Sequence, residues 1–218
     1  MSYRTSGSVA CAALVLSLTA CSEDGALGQV AFSADCAPHD LSCSALGLDA
    51  PLAVGGSVHL MIDTQTAGSG APTLELSSIR DDVLAVDGRE LRGRSPGVAA
   101  VLVSTGALVL DFIHVWVEEP TSIAIHRHDQ DGLEIGELSG LVELLVGDEL
   151  IVSAQTYADT QRLIGAGDPR WSVSSDVVTI LRQGDSPRRR LVARAPGSAT
   201  VSVNELGFSS SLEIEVLP

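Results

Sequence analysis

Arg94-Ser95-Pro96-Gly97-Val98-Ala99 is answered one hundred residues later by Arg194-Ala195-Pro196-Gly197-Ser198-Ala199, and each hexapeptide opens an alternating run, Val98 to Val103 and Ser198 to Val203. Proline fixes φ and glycine accepts positive φ, so each Pro-Gly sets a tight corner leading into a strand. Two further matches frame this one. Val54-Gly55-Gly56 pairs with Val146-Gly147-Asp148 at an offset of 92, and Leu76-Ser77-Ser78 with Val173-Ser174-Ser175 at 97. Offsets that grow along the chain indicate two copies of one unit whose strands are kept and whose loops differ. The extra residues of the second copy are expected over 157–169 and 176–187.

Between the matches the chain reads as short β runs cut by turn signals. Val58, Leu60 and Ile62 alternate with Ser57, His59, Met61 and Asp63, and Leu150, Val152 and Ala154 repeat the pattern in the second half. Many short strands with no convincing helix predict an all-β sandwich or barrel. Residues 97–117 are apolar enough to suggest a membrane span. However, Ser104-Thr105-Gly106 interrupts them, Asp111 and His114 break their apolar character, and β-branched residues dominate, so two strands of a hairpin are predicted instead.

The order of Val-Gly, alternating strand, Ser-Ser turn, Pro-Gly-x-Ala and alternating strand resembles the bacterial immunoglobulin-like domain, group 2, of intimin- and invasin-type surface proteins. In the second copy Leu145-Val146-Gly147-Asp148, Trp171-Ser172-Val173-Ser174-Ser175-Asp176 and Ala195-Pro196-Gly197-Ser198-Ala199-Thr200-Val201 carry the likeness. The first copy is divergent, with Leu76 in place of the usual core tryptophan. The resemblance covers 49–118 and 120–218 and implies two tandem Greek-key sandwiches.

The N-terminus reads as an address. A polar start with one cation, Arg4, precedes the apolar run from Val9 to Leu18, too short for the about 20 residues a bilayer-spanning helix needs. Leu18-Thr19-Ala20-Cys21 resembles the bacterial lipobox. That resemblance implies cleavage after residue 20, diacylglycerol on the Cys21 sulfur, and an acylated N-terminus. The acyl chains are then the expected membrane contact. Ser22 after the cysteine resembles the pattern sent on to the outer membrane in enteric bacteria. Residues 21–48, rich in Ser, Ala, Gly and Asp, are expected to be a lipidated linker, with Cys36 and Cys43 closing a small disulfide loop.

The chain has 13 Lys+Arg, all arginine, against 28 Asp+Glu, a formal charge of −15 that argues against a nucleic acid as partner. A nucleophile elbow, a zinc helix, a phosphate-cradling glycine loop and a dinucleotide fingerprint are all missing from the sequence, so no enzyme and no cofactor is expected. Three features could still bind something. His126 and His128, two apart on a strand, share a face and could meet one metal, while Asp129, Asp131 and Glu134 around Gly132 loosely resemble half a calcium loop. The plainer alternative is a solvated acidic hairpin. Arg188-Arg189-Arg190 is the one dense positive spot and could clamp phosphate or carboxylate groups; its alternative is a soluble hairpin tip. Tyr157, Arg162 and Arg170, in or beside the first insertion, suggest a displayed ligand loop. Trp116 and Trp171 are expected to be buried. The functional expectation is a non-catalytic binding or adhesion module of the envelope, contacting a polysaccharide or protein; the alternative is a structural spacer or assembly subunit.

Overall fold

A computed structural model describes residues 29–65, 73–165, 167–182 and 186–218. The signal-like segment 1–20, Cys21 and residues 22–28 lie outside the described residues. The chain is all-β and forms two sandwiches. In the first, β1 (Gln29–Asp35), β3 (Ser57–Gln65), β6 (Glu90–Gly93) and β5 (Leu84–Asp87) make one sheet in the order β1-β3-β6-β5. Its partner runs β2 (Leu52–Ala53), β8 (Leu108–Glu118), β7 (Gly97–Thr105), β4 (Glu75–Ser78). In the second sandwich the larger sheet runs β10 (Glu134–Leu138), β9 (Ser122–His128), β12 (Glu149–Ala158), β16 (Arg189–Ala193), β15 (Val178–Arg182), with β13 (Gln161–Arg162) hydrogen-bonded to β12. The facing sheet runs β11 (Leu141–Leu145), β18 (Phe208–Leu217), β17 (Gly197–Glu205), β14 (Arg170–Val173).

The repeat is real in three dimensions. Arg94 N–H donates to Val83 O and Arg194 N–H to Val177 O, both at 2.8 Å. Gly97 and Gly197 hold φ of +149° and +141°, and a Cβ on either would press within 3.2 Å of that same valine's side chain. The Ser-Ser match needs a shift, because Ser78 pairs with Val101 where Val173 pairs with Val201, which makes the strand offset 95 rather than 97. Residues 97–117 form the predicted hairpin, β7 against β8, and among the described residues no helix is long and apolar enough to cross a membrane.

The expected linker is corrected. Residues 29–35 pair with β3 along seven positions, and Phe32 and Ala34 pack on the first core, so the sandwich begins at 29 rather than 49. The alternation in Val30-Ala31-Phe32-Ser33-Ala34 was present but diluted by small residues. Asp40 then caps the short helix α1 (Leu41–Leu46), accepting from Cys43 N–H at 2.8 Å, and Cys36 and Cys43 are joined in a disulfide with Cα atoms 5.5 Å apart.

The two cores are separate, one around Leu60, Leu91 and Val101, the other around Ile125, Val152 and Leu212. Ile164 crosses between them. It belongs to the second copy's first insertion, yet it is 1% exposed inside the first core. Its N–H donates to Pro51 O, its carbonyl accepts from Ala53 N–H, and Gly165 O accepts from Ser57 N–H, all at 2.9–3.0 Å. The Gly165 N–H donates to Asp40 Oδ2 at 2.6 Å. Such close backbone approach needs glycine: a Cβ on Gly56 would lie 2.5 Å from Gly165 O, and one on Gly165, at φ +79°, 2.3 Å from Leu52 Cδ1. The second copy carries Asp148 where the first carries Gly56, since no such loop docks there.

Candidate functional site

The outer face of the second domain's larger sheet holds most of the residues singled out from the sequence. Ile123 and Ile125 of β9 face the core, which turns His126 and His128 outward, and Ser153, Gln155 and Tyr157 project the same way from β12. This face is polar but sealed, for His126, His128, Ser153 and Gln155 are all buried. His128 Nε2 meets Ser153 Oγ at 2.7 Å and its Nδ1 lies 3.2 Å from Gly132 O. Tyr157 Oη is 2.8 Å from His126 Nε2, its ring stacked on the imidazole, and it accepts from Arg162 Nε at 3.2 Å. Glu134 closes the cluster, accepting from Gln155 Nε2 at 2.8 Å and from the Arg162 guanidinium. Its Oε1 also lies 3.1 Å from His126 Nδ1, but out of line for a hydrogen bond.

Burial lowers the pKa of both histidines, outweighing Glu134 beside His126 and the Gly132 carbonyl at His128. Burial likewise raises Tyr157. For Glu134 burial works upward, but the Arg162 and Gln155 hydrogen bonds together with His126 carry it below its usual value. The cluster is therefore neutral histidine and phenol around one paired carboxylate. Its hydrogen bonds run largely among its own members.

This revises the metal reading. The structure does bring His126 to Glu134, but His128 turns to Ser153, and Asp129 is spent on its own turn, its Oδ1 accepting from Leu133 N–H at 2.7 Å. Asp131 stands at the rim of a different pocket. Among the described residues no three His, Cys, Asp or Glu side chains gather in a way that could hold a metal ion. The turn itself is the expected solvated hairpin, with Gln130, Asp131 and Leu133 exposed, but the two histidines that lead into it are buried.

The displayed-loop reading fails for Tyr157 and Arg162. Tyr157 and Arg162 are tied into the cluster, and Leu163 and Ile164 are fully buried, Ile164 in the first core. Arg170 is exposed at the start of β14, away from both. Arg188, Arg189 and Arg190 sit where the second insertion returns to the sheet, beside the 130–132 turn. Arg189 is buried, donating to Asp168 Oδ1 at 3.1 Å and to Ser186 O at 2.9 Å.

Two features escaped the sequence. Trp116 was expected to be buried, yet it is 59% exposed. It lies on the outer face of β8, where the rungs Val98–Trp116, Ala100–His114 and Leu102–Phe112 form an apolar and aromatic row, Phe112 meeting His114 edge to face at 5.3 Å. A groove of about 280 Å³ opens at Trp116, walled by His114, Asp49, Pro51 and, from the second domain, Gln161. The second feature is Glu205, buried at the joint. Its Oε2 accepts from Thr156 Oγ1 at 3.1 Å, and its Oε1 has no partner. Burial pushes this carboxyl up to about 7, the Thr156 hydrogen bond opposing and the Asp40 and Asp168 carboxylates adding to the rise. No local motif marks either feature, since each depends on which edge of a strand a distant loop covers.

No family model matches the chain, and no curated protein matches it in sequence. Among solved structures, domains 4 and 5 of the S-layer protein SbsC are 13% identical, with 88% of this chain and 99% of that one covered at a TM-score of 0.36. The Yersinia pseudotuberculosis adhesin InvE is 9% identical over 77% of this chain and 56% of its own, at a TM-score of 0.34. The Escherichia coli adhesin FdeC is 12% identical over 86% and 63%, at 0.35. The chain thus spans under two thirds of either adhesin structure.

Proposed function

We propose that the chain is a lipid-anchored, non-catalytic binding module of the bacterial envelope, held to the outer membrane through acyl chains on Cys21, and that the aromatic face of its first domain binds an envelope saccharide. The observation that carries this reading is Trp116, an indole more than half exposed on a sheet face beside Asp49, His114 and Gln161. A pyranose is itself two-sided: its C–H face suits an aromatic ring, and its hydroxyls suit a carboxylate, an imidazole and an amide. The acidic chain and Asp49 at the groove favour a neutral or amino sugar over an acidic one. Only seven residues lie between Cys21 and the first strand, so the sandwich begins within about 29 Å of the lipid rather than on a long tether.

A second reading, a structural spacer or assembly subunit, is favoured by the interlocked joint. One experiment separates them. The chain is expressed with its own signal in its own host, labelled with an alkyne palmitate, crosslinked and recovered after mild detergent extraction. Labelling lost in Cys21→Ser, with glycan retained by the parent protein and lost in Trp116→Ala, supports the binding module. Recovery of a constant protein partner that is unaffected by Trp116→Ala favours the spacer.

A further inference from the structure

Arg188 and Arg190, two residues apart at the start of β16, point to the same outer face of the sheet, as the rung Arg190–Ile151–His128 requires. They wall a cavity of about 130 Å³ with Ile151, Ser186 and the 130–132 turn. Their hydrogen bonds can be followed atom by atom. Arg188 donates one terminal N–H to Gly132 O at 2.8 Å, and Arg190 holds Glu149 at 3.2 Å. The Nε of each is buried and has no acceptor. Arg189, between them, is fully committed to Asp168, Ser186 O and Arg188 O, and it fixes the entry to the strand.

The two Nε atoms have no accessible surface, but Arg188 and Arg190 both wall the cavity, and their guanidinium groups can donate there to an acceptor that is not part of the chain. We infer that this cavity is an oxyanion site that takes one compact phosphate-type group between the guanidinium groups of Arg188 and Arg190.

Three features shape the site. Gly132 lets the Arg188 guanidinium lie flat on the turn: a Cβ there would sit 2.8 Å from its Nη1, and the residue holds φ +86°. The donors are thus preorganised, which lowers the entropy a ligand must remove. Asp131 stands at the rim and Glu149 beside Arg190, so a diffuse positive field cannot do the work on so acidic a chain. Recognition must come from directed hydrogen bonds, and a tetrahedral oxyanion can offer separate oxygens to two separate guanidinium groups. Finally, the first domain supplies an internal control. There β5 and β6 are joined by the two residues Gly88 and Arg89, and no insertion exists to carry such arginines.

The test uses the full chain in detergent with inorganic phosphate as probe, ionic strength held constant with chloride, read by ³¹P line broadening and by calorimetry. Saturable binding is expected, weakened tenfold or more in Arg188→Gln and in Arg190→Lys, the latter keeping the charge that faces Glu149. Arg92→Gln in the first domain is expected to leave it unchanged. Phosphatidic acid in mixed micelles tells the sources apart. Displacement of phosphate would assign a lipid headgroup; phosphate binding without displacement would assign a free or saccharide-borne phosphoryl group. Equal effects of chloride and phosphate, or unaltered binding in both variants, would mean an adventitious ion only and overturn the site. No broadening of the phosphate signal by the unmodified chain overturns it without any variant.

Discussion

Glu205 should make the protein lose stability as pH rises from about 4.5 to about 7. Its carboxyl is 6% exposed at the joint, with Oε1 unpartnered and Asp40 and Asp168 contributing like charge. Raised from its ordinary 4.5 to about 7, it binds a proton in the folded chain over a range where the unfolded chain has released it. The native state then holds more protons than the unfolded one, so stability falls with pH between these values. It is full below about 4.5 and gone above about 7, and the loss integrates to about 3 kcal/mol at 1.36 kcal/mol per tenfold change in proton affinity. Glu205→Gln keeps an acceptor for Thr156 and places an N–H donor where the acids lie. Urea unfolding at intervals from pH 5 to pH 8.5 is the assay. The parent should weaken across this window relative to the variant, which should match it near pH 5 and exceed it by about 3 kcal/mol at pH 8.5. Parallel curves for the two proteins would refute the reasoning and mean that Glu205 ionises in the fold without penalty.

The histidines should contribute the opposite slope within that window: His126 and His128, held below their usual pKa chiefly by burial, bind fewer protons folded than unfolded, so their share of stability is present above about 6.5 and is lost as pH falls. His126→Gln with His128→Gln should remove that contribution in the same urea series. Tyr157→Phe leaves His126 Nε2 and Arg162 Nε without their shared oxygen and should cost about 1–3 kcal/mol, read from the second domain's unfolding midpoint. Gly165→Ala forces a methyl into Leu52 at positive φ and should cost about 3 kcal/mol, separating the unfolding of the two domains in a calorimetric scan. Cys36→Ala with Cys43→Ala opens a loop of seven residues' separation and should lower the first domain's stability by about 2.5 kcal/mol, measured against the oxidised parent.

The sandwich pair was legible because it rests on local chemistry. Pro96-Gly97 and Pro196-Gly197 need their corners whatever surrounds them, and the alternation of Val58, Leu60 and Ile62 names its own core face. Strand β1 was missed although Val30, Phe32 and Ala34 alternate, because alanine and serine give a weak contrast and Cys36 and Cys43 drew attention to a loop. Trp116 was misplaced for a different reason. Its alternation with Val115 and Val117 correctly sets it on the opposite face, but nothing within the strand says whether that face is covered. The two histidines were rightly put on one face, and what lay beyond reach was Tyr157 and Arg162 arriving from β12 and β13 to close over them.

The first insertion is the point on which the architecture turns. A loop longer than its counterpart is easily read as a displayed loop, yet its apolar pair Leu163-Ile164 argues otherwise, since adjacent residues on an extended segment face opposite ways and both are buried here. Ile164 fills the first core, while Leu163 N–H donates to Thr156 O of the second domain at 2.9 Å. Arg162, one residue earlier, anchors the same segment to Glu134, so the polar cluster and the joint are tied to one short piece of chain. Damage to the cluster should therefore be felt in the first domain as well as in the second. The groove at Trp116 shares this coupling through Gln161, which reaches it from the second domain. If the loop were ornamental, the groove would belong to the first domain alone. Because it is structural, the groove exists only while the two sandwiches stay engaged.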